Sequence, residues 1–119
     1  MTAASVMPDA DPPTEFDEYA LVLLIRGPHA AAYDDTEEGM ALQRKHLGYL
    51  DAMRRSGVML AAGPFRDQLD ETLRGLCVYR VPLAEAQRLA RADPAVAAGR
   101  LSVSTLTWLT RKGALRGSV

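Results

Sequence analysis

Residues 19–25 (YALVLLI) constrain the fold more than any other part of the sequence. The run is uncharged and partly β-branched, and Gly27 and Pro28 follow it, which is typical of a buried strand. Alternate side chains of a strand point to opposite faces, and here both faces are apolar. The run has seven residues, whereas a membrane-spanning helix needs about 20. The strand must therefore be covered by protein on both faces.

The segments that follow predict the element order β-α-β-β-α-β. Helical periodicity after a Thr36 cap indicates a first helix that ends at Ser56 and Gly57. The other predicted elements are strands at 58–62, 73–81 and 101–110, a helix at 82–92 and a turn of helix at 94–98. This order is typical of an α+β, ferredoxin-like antiparallel sheet with both helices on one face.

Helices on one face leave the other apolar face of this sheet uncovered. The third predicted strand is also apolar on both faces, with Leu76 and Val78 on one and Cys77 and Tyr79 on the other. An exposed apolar surface of that size marks an interface. A second copy that packs sheet to sheet about a two-fold axis covers it most simply. We therefore predict a homodimer.

Composition places the chain among one-domain globular proteins. Its 119 residues are 48% hydrophobic and 24% charged, which excludes a wholly disordered chain and a membrane protein. Five of the 15 acidic residues lie within the first 18 positions. We predict a disordered acidic tail at 1–17, a folded domain at 18–112 and a C-terminal tail at 113–119. The 14 basic residues form no stripe, so nucleic acid and membranes are not expected as partners.

The N-terminal sequence is used to predict the cellular location, and the cysteine and histidine content is used to predict metal and cofactor binding. The first basic residue is Arg26, so the basic region of a secretory signal is absent and a cytoplasmic location is expected. Cys77 is the only cysteine, which excludes an internal disulfide and a cysteine-rich metal site. His29 has no second histidine or carboxylate at ligand spacing. No phosphate-binding or cofactor motif occurs, and we predict neither a metal nor a cofactor.

His46 and Asp93 are the main candidates for chemistry. His46 falls on the apolar stripe of the first helix, where it is either a hydrogen-bonded core histidine or a general base. Asp93 follows Leu89 by four residues on the buried face of the second helix, so it can meet His46. Asp93 also precedes Pro94, as a helix N-cap would. Residue spacing leaves both pairs of alternatives open.

Four further residues are candidate substrate contacts. Tyr49 lies one turn beyond His46 and either meets a substrate oxygen or packs in the core. Gly63 and Pro64 are expected to end the second strand, where they either expose backbone to a ligand or simply form a turn. Arg66 either holds an anion at that rim or is a solvated loop charge.

Three motifs resemble the YCII-related (YciI-like) family, and the likeness runs from about residue 19 to residue 109. They are HLGYL at 46–50, AGP at 62–64 and ARADPAVAAG at 90–99, of which the last is the most specific. The resemblance implies a dimeric α/β barrel of ferredoxin-like subunits. It also implies a pocket at the boundary between sheet and helices that contains a histidine and aspartate pair, here His46 and Asp93.

Most members of that family have no assigned reaction, and the clearer chemistry is lyase-like, removing halide from a chlorinated hydroxylated ring. Related barrels include muconolactone isomerases and small monooxygenases. The leading hypothesis is a cofactor-independent lyase or isomerase that acts on a small cyclic or aromatic compound, with His46 as base and Asp93 as its partner. The alternatives are a non-catalytic dimeric ligand-binding or accessory module, and a monooxygenase of the same barrel type.

Overall fold

The computed structural model describes residues 7–115, which form one antiparallel sheet with helices on one face. The strands are β1 (Phe16–Arg26), β2 (Met59–Pro64), β3 (Leu73–Tyr79) and β4 (Leu101–Arg111). The helices are α1 (Glu37–Arg55), α2 (Leu83–Arg91) and the short α3 (Pro94–Ala97), and a 3₁₀ turn covers Ala30–Ala32. None of the described helices combines the length and apolar character that crossing a membrane requires.

The sheet order is β2-β3-β1-β4, and each neighbouring pair is antiparallel. The predicted ferredoxin-like arrangement is therefore confirmed. β1 is an inner strand, and its Val22 pairs with Cys77 of β3 on one side and Thr105 of β4 on the other.

The core lies between the sheet and the helices. Ala20, Val22 and Leu24 of β1 are buried against the helices, where Ala86 and Ala90 of α2 are also buried. Small side chains at this contact let the helix approach the strands closely. The core therefore uses one of the two apolar faces predicted for β1.

The other side of the sheet carries an apolar surface that we call the open face. Cross-strand pairs place Leu21 beside Leu106, and Tyr19 beside Trp108 with ring centroids 6.2 Å apart. Leu106 is 44% exposed and Trp108 is 39% exposed. The open face consists of Tyr19, Leu21, Leu23, Ile25, Leu76, Leu106 and Trp108. Its apolar character agrees with the alternation seen in the sequence.

The predicted cap of α1 is confirmed. The Thr36 hydroxyl accepts a hydrogen bond from the Gly39 N–H at 2.9 Å and donates to the Tyr33 carbonyl at 2.9 Å. A Cβ at position 39 would lie 1.9 Å from the Tyr33 oxygen, so the close approach of this loop requires glycine. The first turn of α1 is thereby fixed against the loop that follows β1.

β1 begins two residues inside the predicted acidic tail, and the first residue of the predicted C-terminal tail contacts the sheet. Phe16 and Asp17 were assigned to the acidic tail but extend β1 by pairing with Arg111 and Thr110 of β4. The Gly113 N–H donates to the Asp17 carboxylate at 2.7 Å, so the chain after β4 is also tied to the sheet. Residues 1–6 and 116–119 of the predicted tails lie outside the described residues.

Gly63 and Pro64 are the last two residues of β2, so the strand ends two residues later than predicted. β2 is an edge strand that pairs only with β3, and an edge strand tolerates a proline because one of its sides forms no ladder. A Cβ at Gly75, which pairs with Pro64, would lie 2.8 Å from the Gly63 oxygen. Glycine at position 75 thus allows the two strands to approach at this end.

Candidate active site

His46 and Asp93 form a buried pair between α1 and α3. His46 Nδ1 lies 2.6 Å from Asp93 Oδ2, and the residues are 6% and 2% exposed. His46 lies in the middle of α1, whereas Asp93 is the residue before α3. The fold therefore brings together the two residues that the sequence nominated.

The second carboxylate oxygen of Asp93 caps α3. Oδ1 accepts a hydrogen bond from the Ala95 N–H at 2.9 Å, and Pro94 occupies the first helical turn. The sequence left open whether Asp93 caps a helix or partners His46, and the structure shows both contacts. Because the cap holds the carboxylate in place, the imidazole is held in place as well.

The hydrogen bond to Asp93 determines which nitrogen of His46 is free. A carboxylate only accepts hydrogen bonds, so Nδ1 of His46 donates and the neutral ring carries its lone pair on Nε2. No described residue is hydrogen-bonded to Nε2, and His46 lines a cavity. Nε2 is therefore the ring nitrogen of this cavity-lining histidine that is left to accept a proton.

The cavity lies between α1 and the end of the sheet where β1 and β2 finish and β3 and β4 begin. Its volume is about 380 Å³, which falls within the range of small-molecule sites. The lining residues are Leu24, Gln43, His46, Leu47, Leu50, Asp51, Arg54, Ala62, Gly63, Pro64, Arg74, Gly75, Ala95, Arg100 and Leu101. The lining thus combines apolar walls with a few charged groups.

Two of the four predicted substrate contacts lie at the cavity and two do not. Gly63 and Pro64 line it, whereas Arg66 lies in the exposed loop between β2 and β3. Tyr49 is directed elsewhere, because its hydroxyl donates to the Leu89 carbonyl at 2.7 Å and ties α1 to α2. Burial, and then the nearby Asp93 carboxylate, raise the pKa of the Tyr49 hydroxyl. Tyr49 is thus a structural neighbour of the pair rather than a lining residue.

Sequence reasoning missed three arginines that line the cavity. Arg54 lies eight residues after His46, so helical periodicity could have placed it on the same face of α1. Arg100 follows Gly99, which has φ 78°, and its side chain donates to the Gly39 carbonyl at 2.7 Å. No local pattern marks Arg100 as a cavity residue.

Arg74 reaches the cavity through a β-bulge. Leu24 pairs with Gly75 whereas the next residue, Ile25, pairs with Leu73, so Arg74 is an extra residue on β3. Simple alternation would put Arg74 on the open face together with Leu76. A bulge redirects the side chain that it carries, and Arg74 instead lines the cavity on the helix side.

Cys77 lies beneath the site but is not available as a nucleophile. The thiol is 1% exposed, and burial followed by the Asp93 charge raises its pKa to about 12. Burial also raises the pKa of the neighbouring Tyr79 hydroxyl. Among the described residues, no three His, Cys, Asp or Glu side chains form a cluster that could hold a metal ion.

The Cys77 thiol is expected to resist modification in the folded protein. Thiolate is the reactive form, so the raised pKa and the burial together should slow reaction with Ellman's reagent at pH 8 by at least about 100-fold relative to the unfolded chain. The measurement compares native protein with protein in guanidinium chloride, where one thiol per chain should react. Equal rates in the two states would contradict the buried placement.

The comparisons with known proteins agree with this architecture. The sequence model of the YCII-related domain matches residues 18–108. The chain belongs to the YCII-related family. The family resemblance seen in the sequence is therefore confirmed over nearly the whole folded part of this YCII-related protein. No curated protein sequence matches the chain.

Two solved structures are similar to this YCII-related chain. The first is 5-chloro-2-hydroxyhydroquinone dehydrochlorinase from Burkholderia phenoliruptrix in complex with 2,5-dihydroxybenzoquinone, with a TM-score of 0.52, 15% identity, and coverage of 76% of this chain and 90% of that chain. The second is a cofactor-independent oxygenase from Streptomyces nogalater, with a TM-score of 0.47, 14% identity, and coverage of 83% and 98%. The first likeness shows the fold, and the chemistry is argued from the site itself.

Proposed function

We propose that this YCII-related protein is a small lyase or isomerase in which His46 is the general base. Its substrate is a hydroxylated cyclic or aromatic compound of one ring. The observation that carries the proposal is the buried 2.6 Å contact between Nδ1 of His46 and Asp93, made by a histidine that lines the cavity. Imidazole titrates near neutral pH, and a carboxylate partner fixes its tautomer and stabilises its charged form.

The proposed step begins when Nε2 of His46 takes the proton of a substrate hydroxyl. The oxygen lone pair forms a C=O bond, and the adjacent C=C pair is displaced. In a lyase this pair first takes up a proton from the imidazolium at the carbon that carries the leaving group. Loss of a second hydroxyl proton to His46 then forms another C=O bond, and the displaced C=C pair makes a new C=C bond that expels the leaving group, such as chloride, with its bonding electrons. In an isomerase the pair takes up a proton at carbon from the imidazolium. His46 supplies the only proton acceptor that either route needs.

The cavity and the first similar structure support this substrate class. A volume of about 380 Å³ lies near the lower end of the range for small-molecule sites and is large enough for a single substituted ring. The ligand of the dehydrochlorinase, 2,5-dihydroxybenzoquinone, is a ring compound of that kind. We extend the substrate class to the present chain as part of the proposal. In the competing hypothesis of a binding module, the pair only joins α1 to α3.

The direct test is turnover of a chlorinated hydroxyhydroquinone without oxidant, followed by chloride release and by the absorbance of the quinone product; the unchlorinated compound should give neither signal. We expect His46→Gln to lower kcat by about 10²–10⁴-fold, the usual contribution of a general base. His29→Gln is the matched control, because His29 is exposed and lines no part of the site. Binding of these compounds by the parent without any turnover would support the binding module instead.

We also propose that two copies associate through their open faces. The residues there are large and apolar, and Leu106 and Trp108 remain more than one-third exposed in the single chain. An apolar surface of this kind on a sheet favours burial against another apolar surface. A two-fold axis lets each copy offer the same surface to the other, so one patch is sufficient.

A further inference from the structure

We infer that the cavity selects a compound with an anionic oxygen, either a carboxylate or an ionised ring hydroxyl, held by Arg100 and Arg74. This inference rests on the proposed function, because it names the substrate class of the same site. The lining contains three arginines and one aspartate, which gives a net charge of +2 when His46 is neutral. An excess of this sign inside a concave site favours anions.

The three arginines differ in whether a protein carboxylate already neutralises the guanidinium charge. Arg54 is paired with Asp51 at 2.6 Å, so its charge is compensated within the lining. The side chain of Arg74 has one ion-pair partner among the described residues, Glu71 at 3.5 Å, and that carboxylate is 81% exposed. The guanidinium of Arg100 donates to a neutral carbonyl. Arg74 and Arg100 are therefore the two cations with capacity for a ligand.

The Asp34 carboxylate lies outside the lining and also interacts electrostatically with Arg100 and Arg74. The pKa of Asp34 is lowered first by its hydrogen bond to Arg26 and more weakly by Arg100 and Arg74. Asp34 makes its hydrogen bonds to Arg26, the shorter at 2.6 Å. Asp34 thus stabilises the chain around the site without occupying the guanidinium donors of Arg74 or Arg100.

The backbone around Arg100 is held before any ligand binds. The Gly27 N–H donates to the Arg100 carbonyl at 2.8 Å, and the His29 N–H donates to the Gly99 carbonyl at 2.9 Å. A Cβ at Gly27 would lie 2.2 Å from the Gly99 oxygen, so these two segments are in direct contact. A donor fixed in this way loses little freedom when it binds an anion.

Arg74 lies in β3 and Arg100 immediately precedes β4, so both lie at the end of the sheet that lines the cavity. Arg74 is present there only because of the bulge in β3. An anionic oxygen held by these two residues would leave its ring in the cavity that His46 also lines. The arginines would also stabilise the negative charge that develops on a substrate oxygen during proton removal.

The test compares 2-hydroxybenzoate with 2-hydroxybenzamide, two rings of similar shape that differ in charge. Calorimetry should show the benzoate binding about 100-fold more tightly, which corresponds to one charge-assisted hydrogen bond from each arginine. Arg100→Gln and Arg74→Gln should each reduce this preference by about tenfold, and the double variant should remove it. Circular dichroism verifies that each variant is folded, and Arg74 is a suitable second site because its side chain is 45% exposed.

Arg66→Gln is the matched control, since Arg66 is an exposed arginine near the site that does not line the cavity. We expect it to leave both affinities unchanged. Equal binding of the two probes, no benzoate binding at millimolar concentration, or an equal effect of Arg66→Gln would overturn the inference. These outcomes leave the His46→Gln turnover test unaffected. Conversely, an arginine-dependent anion preference in a protein without turnover would support the inference and reject the proposed function.

Discussion

Asp93→Asn is expected to lower kcat by about 10²–10⁴-fold while most of the folding stability is retained. The asparagine oxygen can still accept the hydrogen bond from the Ala95 N–H that now caps α3. Its NH₂ group would then face Nδ1 of His46, which must become a hydrogen-bond acceptor. The ring proton moves to Nε2, and the nitrogen at the cavity loses the lone pair that a base needs.

Asp93→Ala separates the two roles of the carboxylate, because alanine supports neither of them. Loss of the cap and of a buried hydrogen bond to a charged group should lower the free energy of unfolding by roughly 2–4 kcal/mol. Urea denaturation measures this change, and ¹⁵N NMR of the His46 ring reports the tautomer in the parent and in the Asn variant. If the Asn variant keeps full activity, or if its tautomer matches the parent, Asp93 does not orient the base.

Leu106→Lys should convert the proposed dimer into monomers. Leu106 lies on the open face beside Leu21 and is 44% exposed in the single chain. In the dimer, a lysine at this position in each chain would place two positive charges in the apolar interface. We expect the dissociation constant to rise at least about 100-fold, since an unpaired charge in an interface costs several kcal/mol.

Sedimentation at micromolar concentration measures this effect, with the parent expected at twice the mass of one chain. Leu69→Lys is the matched control, because Leu69 is fully exposed in the loop between β2 and β3 and is not part of the open face. The control should remain a dimer. A monomeric parent, or a Leu106→Lys variant that sediments like the parent, would refute association through this face.

The sequence predicted those parts of the fold that depend on short-range patterns. The apolar faces of β1 and the Thr36 cap are local features, and both occur where they were expected. His46 could be placed on a buried helix face from periodicity alone. Helix spacing showed only that Asp93 could meet His46, and the family resemblance implied the pair, because no short-range pattern links residues 47 positions apart.

The features that were mispredicted or missed depend on tertiary structure. Pro64 extends β2 because that strand lies at the edge of the sheet, which the sequence of the strand does not reveal. Arg74 reaches the cavity because one extra residue in β3 reverses its orientation. Tyr49 finds its partner in the carbonyl of Leu89, and backbone carbonyls carry no sequence signal.

The shared carboxylate of Asp93 affects how a lineage of such proteins can lose its chemistry. A descendant without activity would remain under selection to keep Asp93, because Oδ1 still caps α3. His46 has a less protected position, since any side chain that donates a hydrogen bond to Oδ2 would keep the carboxylate satisfied. If the reaction is no longer selected, we therefore expect substitution of His46 before substitution of Asp93. Under the proposed function, a relative that keeps the aspartate and lacks the histidine is expected to keep the fold and lack the reaction.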